Sequence, residues 1–242
     1  ANMVKLCNKP YEESDHSRFS KYSFPLSDFQ KYAIDGIEQG EHVLITAKTG
    51  SGKTLPAEYA IEKYISEGKK VIYTAPIKAL SNQKLRDFTE KYPNISFGIL
   101  TGDIKFNPEA DCLIMTTEIL RNTLFQKKSI EEKTFDADKL PLHFNMDFNN
   151  ELACVIFDEV HYINDADRGK VWEETFVMLP PHVQMIMLSA TIDKPEMFAK
   201  WIEDEKNKQA ITLNKPEKKV YLASTNHRVV PLTHYLWIST HK

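Results

Sequence analysis

His42-Val43-Leu44-Ile45-Thr46-Ala47-Lys48-Thr49-Gly50-Ser51-Gly52-Lys53-Thr54 decides the architecture. An apolar run, Val43 to Ala47, leads into a turn of small residues that closes on Lys53 and Thr54. A buried strand therefore feeds a loop and then a helix, the arrangement that binds a nucleoside triphosphate. Gly50 and Gly52 let the backbone approach an anion and turn N–H groups inward, where the helix dipole also favours negative charge. Thr49, Gly50, Ser51 and Gly52 form the cradle, Lys53 reaches the β- and γ-phosphates, and the Thr54 hydroxyl ligates magnesium. The generic loop starts with glycine; here Ala47 stands in its place, which the turn tolerates.

Outward from this stretch, 242 residues with 42% hydrophobic and 27% charged side chains suffice for one large α/β domain. A formal charge of −3 argues against binding nucleic acid by bulk charge, so any such contact needs a local arrangement of donors. Cys7, Cys112 and Cys154 have no metal-type spacing and are odd in number, which fits a reducing, intracellular compartment, nuclear or cytoplasmic. No apolar run reaches transmembrane length, so no membrane partner is expected.

Residues 1–21 are polar and form an extended lead-in, partly disordered by composition. Lys31 to Glu38 follows at helical spacing, with Ser27 or Asp28 as its cap. Gln30, in the first turn, could pair with a purine edge while Phe24 stacks on its face, but the residues alone favour the plainer reading in which Gln30 is solvated and Phe24 is core. After the loop, Thr54 to Ile65 is a helix, Val71 to Ala75 a strand, and Pro76 to Lys84 opens a helix carrying Lys78, Ser81, Asn82 and Gln83, donors suited to a sugar–phosphate chain. Strands at Phe97 to Leu100 and Cys112 to Met115 deliver Thr101-Gly102-Asp103 and Thr116-Thr117-Glu118, with Arg121 one turn further. Polar clusters at successive strand ends match where open α/β sheets bind ligands. Residues 126–150 break the rhythm as an irregular insertion, either a flexible surface segment or a partner-docking loop.

Ala153 to Phe157 is a strand that carries Asp158-Glu159-Val160-His161 at its end. Adjacent carboxylates leaving a buried strand need a positive partner. Magnesium meets that need: Asp158 holds the ion, directly or through water, and Glu159 orients or deprotonates the water that attacks the γ-phosphate. Asp165 to Gly169 reads as a turn before a helix over Val171 to Leu179. Val183 to Leu188 is the sixth strand, emerging at Ser189-Ala190-Thr191; Asp193 and Glu196 make a capping box for a helix through Trp201, and Val220 to Ala223 is a seventh strand.

Together, A-K-T-G-S-G-K-T (47–54), A-P-I-K-A-L-S-N-Q-K (75–84), T-G-D (101–103), T-T-E-I-L-R (116–121), F-D-E-V-H-Y-I-N-D-A-D-R-G-K-V-W-E-E-T (157–175) and L-S-A-T-I (188–192) resemble the first RecA-like domain of a superfamily II DExH-box RNA helicase of the superkiller and exosome-cofactor class. The resemblance runs from Phe24 to Trp237 and is most specific in the block after Asp158. It implies a mainly parallel sheet of about seven strands with helices on both faces, spanning 22–225, and an exit linker over 226–242. It implies an adenine site at Phe24 and Gln30, catalysis by Lys53, Asp158, Glu159 and His161, and ATP and Mg2+ as cofactors. Ser189 and Thr191, with His161, are implied to couple nucleotide state to strand binding; Pro76, Lys78, Thr101, Gly102, Thr117 and Arg121 are implied to form a track for single-stranded RNA. The implied partners are a second RecA-like domain in cis, and an RNA-decay or RNA-processing complex; translocation is implied to run 3′ to 5′.

The second domain's arginine finger is not evident, and Arg228 lacks its surrounding pattern, so the chain reads as an excised N-terminal domain. It is expected to bind ATP but hydrolyse it slowly, since an arginine finger contributes on the order of a thousandfold. Rivals are a DNA helicase and a non-catalytic RNA-binding scaffold. A GTPase fails because Asn214-Lys215-Pro216-Glu217 carries Glu217 where aspartate is expected, and D-E-V-H is left unexplained.

Overall fold

In the computed structural model, residues 4–12, 17–132, 144–164 and 166–225 are described. Nine strands form one sheet: β1 (Lys5–Cys7), β2 (His42–Thr46), β3 (Lys70–Ala75), β4 (Phe97–Leu100), β5 (Lys105–Phe106), β6 (Cys112–Thr116), β7 (Leu152–Phe157), β8 (Gln184–Ser189) and β9 (Val220–Ser224). Their order is β1-β9-β2-β8-β7-β3-β6-β4-β5, parallel throughout except for β4 against β5. The seven central strands coincide with the apolar runs of the sequence. The two additional ones lie at opposite edges and are short, so neither carries an apolar run. Lys5–Cys7 thus draws part of the N-terminal lead-in onto the sheet, in register with Tyr221 to Ala223.

Among the described residues, six α-helices connect the strands: α1 (Asp28–Glu38), α2 (Thr54–Ser66), α3 (Lys78–Lys91), α4 (Thr117–Glu131), α5 (Ala166–Met178) and α6 (Pro195–Thr212). Because successive strand side chains point to opposite faces, each central strand feeds two cores. Val43, Ile45, Val71, Tyr73, Ile114, Ile156 and Leu188 pack with Phe29 and Ala33 of α1, Ala57 and Ile61 of α2 and Phe88 of α3. Leu44, Ile72, Met115, Val155, Phe157 and Met187 pack with Leu120 and Leu124 of α4, Trp172 and Phe176 of α5 and Phe198 and Trp201 of α6. Both faces are covered, as an all-parallel sheet requires. The three cysteines are buried and free. Among the described residues, no helix is long and apolar enough to cross a membrane.

Five local expectations change. The first residues of the 126–150 segment complete α4, and Phe144, Met146 and Phe148 are buried in the core; 133–143 lie outside the described residues. The turn expected over Asp165 to Gly169 gives way to helix from Ala166. Asp193 does not cap α6: Pro195 opens the helix, where its missing N–H costs nothing, and the cap position falls on Lys194, left-handed at φ 50°. That helix also runs beyond Trp201 to Thr212. Ser81, read as a donor suited to a sugar–phosphate chain, is instead buried and donates to the Ile77 carbonyl of its own helix.

Candidate functional site

The sheet order places the phosphate loop after β2, the SAT turn after β8 and the D-E-V-H turn after β7, three adjacent strands. Within the loop, Gly50 and Gly52 have φ of 82° and 83°, the conformation that favours glycine. A Cβ on Gly52 would also stand 2.5 Å from Gln30 Nε2. Ser51 Oγ donates to the Lys48 carbonyl at 2.5 Å, folding the loop on itself. Lys53 is buried, and its Nζ donates to the Ala47 carbonyl at 3.3 Å. Thr49 and Gly50 are exposed, and Thr54 opens α2.

Gln30 is buried rather than solvated. Its Oε1 accepts the Ser27 backbone N–H at 2.9 Å, closing the first turn of α1, and its Nε2 donates to the Gly52 carbonyl at 3.0 Å. One side chain therefore ties α1 to the phosphate loop. Phe24 is half exposed, with its ring 5.9 Å from that of Tyr22, so it is not core.

Asp158 is buried, and burial pushes its carboxyl pKa up. Each oxygen has one donor: Tyr73 Oη donates to Oδ2 at 2.5 Å, and the Glu159 N–H donates to Oδ1 at 2.8 Å. Each carboxylate oxygen retains further acceptor capacity. Glu159 sits at φ 55°, a strained conformation for a non-glycine residue of the kind found at functional sites. A hydrogen bond from His161 Nε2, 2.9 Å from Glu159 Oε2, holds this carboxyl below its usual range. His161 Nδ1 accepts the Ala190 N–H at 3.1 Å. That N–H can only donate, so Nδ1 carries no proton and Nε2 presents one to Glu159. Ser189 is fully buried and donates to the Ala190 carbonyl at 2.7 Å, and Thr191 is buried beside it. Glu159, His161 and the Ala190 backbone after β8 thus form a hydrogen-bonded chain, and Ser189 bonds the same residue's carbonyl.

Beside this cluster, β3, β6 and β4 are adjacent and carry the expected track. Lys78 Nζ pairs with Asp103 Oδ2 at 2.6 Å, and a Cβ on Gly102 would lie 3.3 Å from that ammonium. Thr101 Oγ1 accepts the Asp103 and Ile104 N–H groups, fixing the turn. Thr117 Oγ1 donates to the Ala75 carbonyl at 3.5 Å, beside half-buried Pro76. Arg121 Nε donates to Glu174 Oε2 at 2.5 Å, and its guanidinium lies 5.1 Å from the Phe125 ring.

Sequence reading missed Tyr73, Asp103 and Glu174, the partners of Asp158, Lys78 and Arg121. All three sit in recognisable segments, but their pairing is across the fold. Among the described residues, no group of three or more His, Cys, Asp or Glu could hold a metal. Magnesium takes one or two carboxylates plus substrate phosphates; Asp158, whose oxygens each keep acceptor capacity, could hold such an ion, and Thr54, at the start of α2, is the expected second ligand.

A family model described as DEAD/DEAH box helicase matches residues 27–198. Antiviral helicase SKI2 of Saccharomyces cerevisiae is 45% identical over 98% of this chain and 16% of its own length. Superkiller complex protein 2 of Homo sapiens is 45% identical over 90% of this chain and 15% of its own length. Exosome RNA helicase MTR4 of Homo sapiens is 40% identical over 90% of this chain and 18% of its own length. The chain thus spans a small part of the length of these relatives. The crystal structure of the DUF1998 helicase MrfA bound to DNA matches with a TM-score of 0.61 at 19% identity, covering 93% of this chain and 32% of that one, a likeness of fold.

Proposed function

Because this chain belongs to the DEAD/DEAH box helicase family, we propose that it is the ATP-binding domain of an ATP-dependent RNA helicase that couples Mg-ATP hydrolysis to 3′-to-5′ movement along RNA and its unwinding. The observation that carries this reading is the convergence of Lys53, Asp158, Glu159 and the Ala190 backbone at the ends of adjacent strands β2, β7 and β8, with His161 joining two of them. Lys53 binds the phosphates, Thr54 and Asp158 hold magnesium, and Glu159, oriented by His161, takes the proton of the attacking water. Magnesium, when bound, neutralises charge that develops on the transferring phosphoryl group. Gln30 and Phe24 contact the adenine. Pro76, Lys78, Thr101, Gly102, Thr117 and Arg121 contact the strand, and His161, Ser189 and Thr191 pass its presence to Glu159.

RNA is favoured over DNA by the R-G-K-V-W-E-E block at 168–174 and by the likeness to exosome RNA helicase MTR4. The names of Superkiller complex protein 2 and exosome RNA helicase MTR4 support work within an RNA-processing complex; a nuclear or cytoplasmic setting and a second RecA-like domain in cis that completes the γ-phosphate site belong to the same proposal. On this reading 22–225 is the ATP-binding domain; the exit linker at 226–242 lies outside the described residues.

Melting temperatures with magnesium-ATP, magnesium-GTP and no nucleotide, for the chain and its Lys53→Ala variant, test the reading. Stabilisation by ATP that exceeds that by GTP and vanishes in the variant is expected. No shift at saturating nucleotide would overturn it in favour of an RNA-binding scaffold.

A further inference from the structure

We propose that Tyr73 is a positioning residue: its hydroxyl fixes the Asp158 carboxylate for magnesium and ties that carboxylate to the elements of the strand track. The inference rests on the magnesium–nucleotide reading of the site. Tyr73 is fully buried in β3, and Asp158 leaves the end of the neighbouring β7. Asp158 is bound to β3 twice, by its N–H to the Thr74 carbonyl at 2.9 Å and by its Oδ2, which accepts the Tyr73 hydroxyl at 2.5 Å. The terminal carboxylate torsion is soft, so the backbone bond alone leaves the plane of the group free to turn. The hydroxyl removes that freedom, and the Glu159 N–H on Oδ1 completes the restraint. One lone-pair direction on each oxygen stays open for the ion or its waters.

The ring is held in turn. Phe88 of α3 packs edge-on against Tyr73 at 5.2 Å, and Phe97 of β4 stacks on Phe88 at 5.7 Å. Helix α3 begins at Lys78 and β4 ends at Leu100, immediately before Thr101, while β3 itself runs into Pro76. The support behind the magnesium carboxylate is therefore built from three of the elements that present the proposed track. A phenylalanine would fill the same volume, so what the hydroxyl adds is its bond to Asp158.

The test is a magnesium titration of binding of a fluorescent ATP analogue, with parallel binding in excess chelator, for the chain and its Tyr73→Phe and Phe88→Leu variants. Outer-shell partners of metal ligands govern metal affinity by tenfold or more, so Tyr73→Phe is expected to raise the magnesium midpoint roughly tenfold while metal-free affinity stays within about twofold. Phe88→Leu loosens the same core without removing the hydroxyl and is expected to raise the midpoint by less than Tyr73→Phe does. An unchanged or lowered midpoint in Tyr73→Phe, or an equal rise in Phe88→Leu, overturns the positioning role. Failure of the unmodified chain to bind the analogue at any magnesium concentration overturns instead the nucleotide reading, and this inference with it.

Discussion

His161 and Glu159 face each other at 2.9 Å, and the opposite nitrogen of the imidazole accepts the Ala190 backbone N–H at 3.1 Å. The carboxylate proposed to activate water is thus oriented by a ring whose own orientation is set by the turn after β8. His161→Ala is expected to cut RNA stimulation of ATP hydrolysis about tenfold, a normal size for coupling between two sites, with nucleotide affinity little changed. Steady-state hydrolysis with and without RNA, beside equilibrium binding of nucleotide, measures both. Equal loss of basal and stimulated rates would show a chemical rather than a coupling role.

Gln30 joins the first turn of α1 to the phosphate loop through Ser27 and Gly52. Truncation leaves both partners short of a bond, a cost of about 1–3 kcal/mol. For Gln30→Ala, calorimetry should show a fall in melting temperature of roughly 2–4 °C per kcal/mol lost. If Gln30 also reads the base, the preference for ATP over GTP falls with it. Unaltered stability would contradict the structural bond, and unaltered preference the base contact.

Lys78 and Asp103 form an exposed pair on the proposed track. Such pairs stabilise a fold little. Lys78→Ala is therefore expected to leave the melting temperature in place while weakening single-stranded RNA binding and reducing its salt slope by about 0.7, the share of one phosphate contact. Asp103→Asn, which frees the ammonium, is expected to strengthen binding. Filter binding across a salt series decides both signs, and an unchanged slope in Lys78→Ala would remove this residue from the track.

Lys206 is buried in α6, and its Nζ donates to the Phe176 and Leu179 carbonyls at the end of α5 and to Gln209 Oε1. Burial pushes its ammonium pKa down from 10.5 to about 7, against the pull of these three acceptors. From about 7 up to 10.5 the unfolded chain holds a proton that the folded chain has released, so stability rises with pH across that window by up to about 1.4 kcal/mol per unit. Below it both states are protonated and the full cost of the buried charge remains. Chemical denaturation from pH 6 to 9 should show this rise, and Lys206→Met should flatten it. Parallel curves for the two proteins would show that Lys206 stays charged in the fold.

Much of this fold is written locally. Apolar runs of strand length alternate with helical spacing, which is why the seven central strands are legible without coordinates, as are the phosphate loop and D-E-V-H. The edge strands at Lys5–Cys7 and Lys105–Phe106 are not, since so short a strand is defined by its neighbour rather than by its own pattern. The same holds for the Lys194 cap, where a left-handed residue and a proline displaced the expected Asp193.

The sequence by itself determined which residues are candidates for the chemistry: Lys53, Asp158, Glu159 and His161 stand in motifs whose meaning depends on spacing along one short segment. Tertiary structure alone decided their partners. Tyr73 and Asp158 are 85 residues apart, and they meet because the sheet sets β3 beside β7. Arg121 meets Glu174 because α4 and α5 cover the same face. Backbone hydrogen bonds and side-chain periodicity act over a few residues and so leave a pattern in the chain. Strand order is fixed by which apolar faces bury one another most completely, a property of the whole assembly of elements.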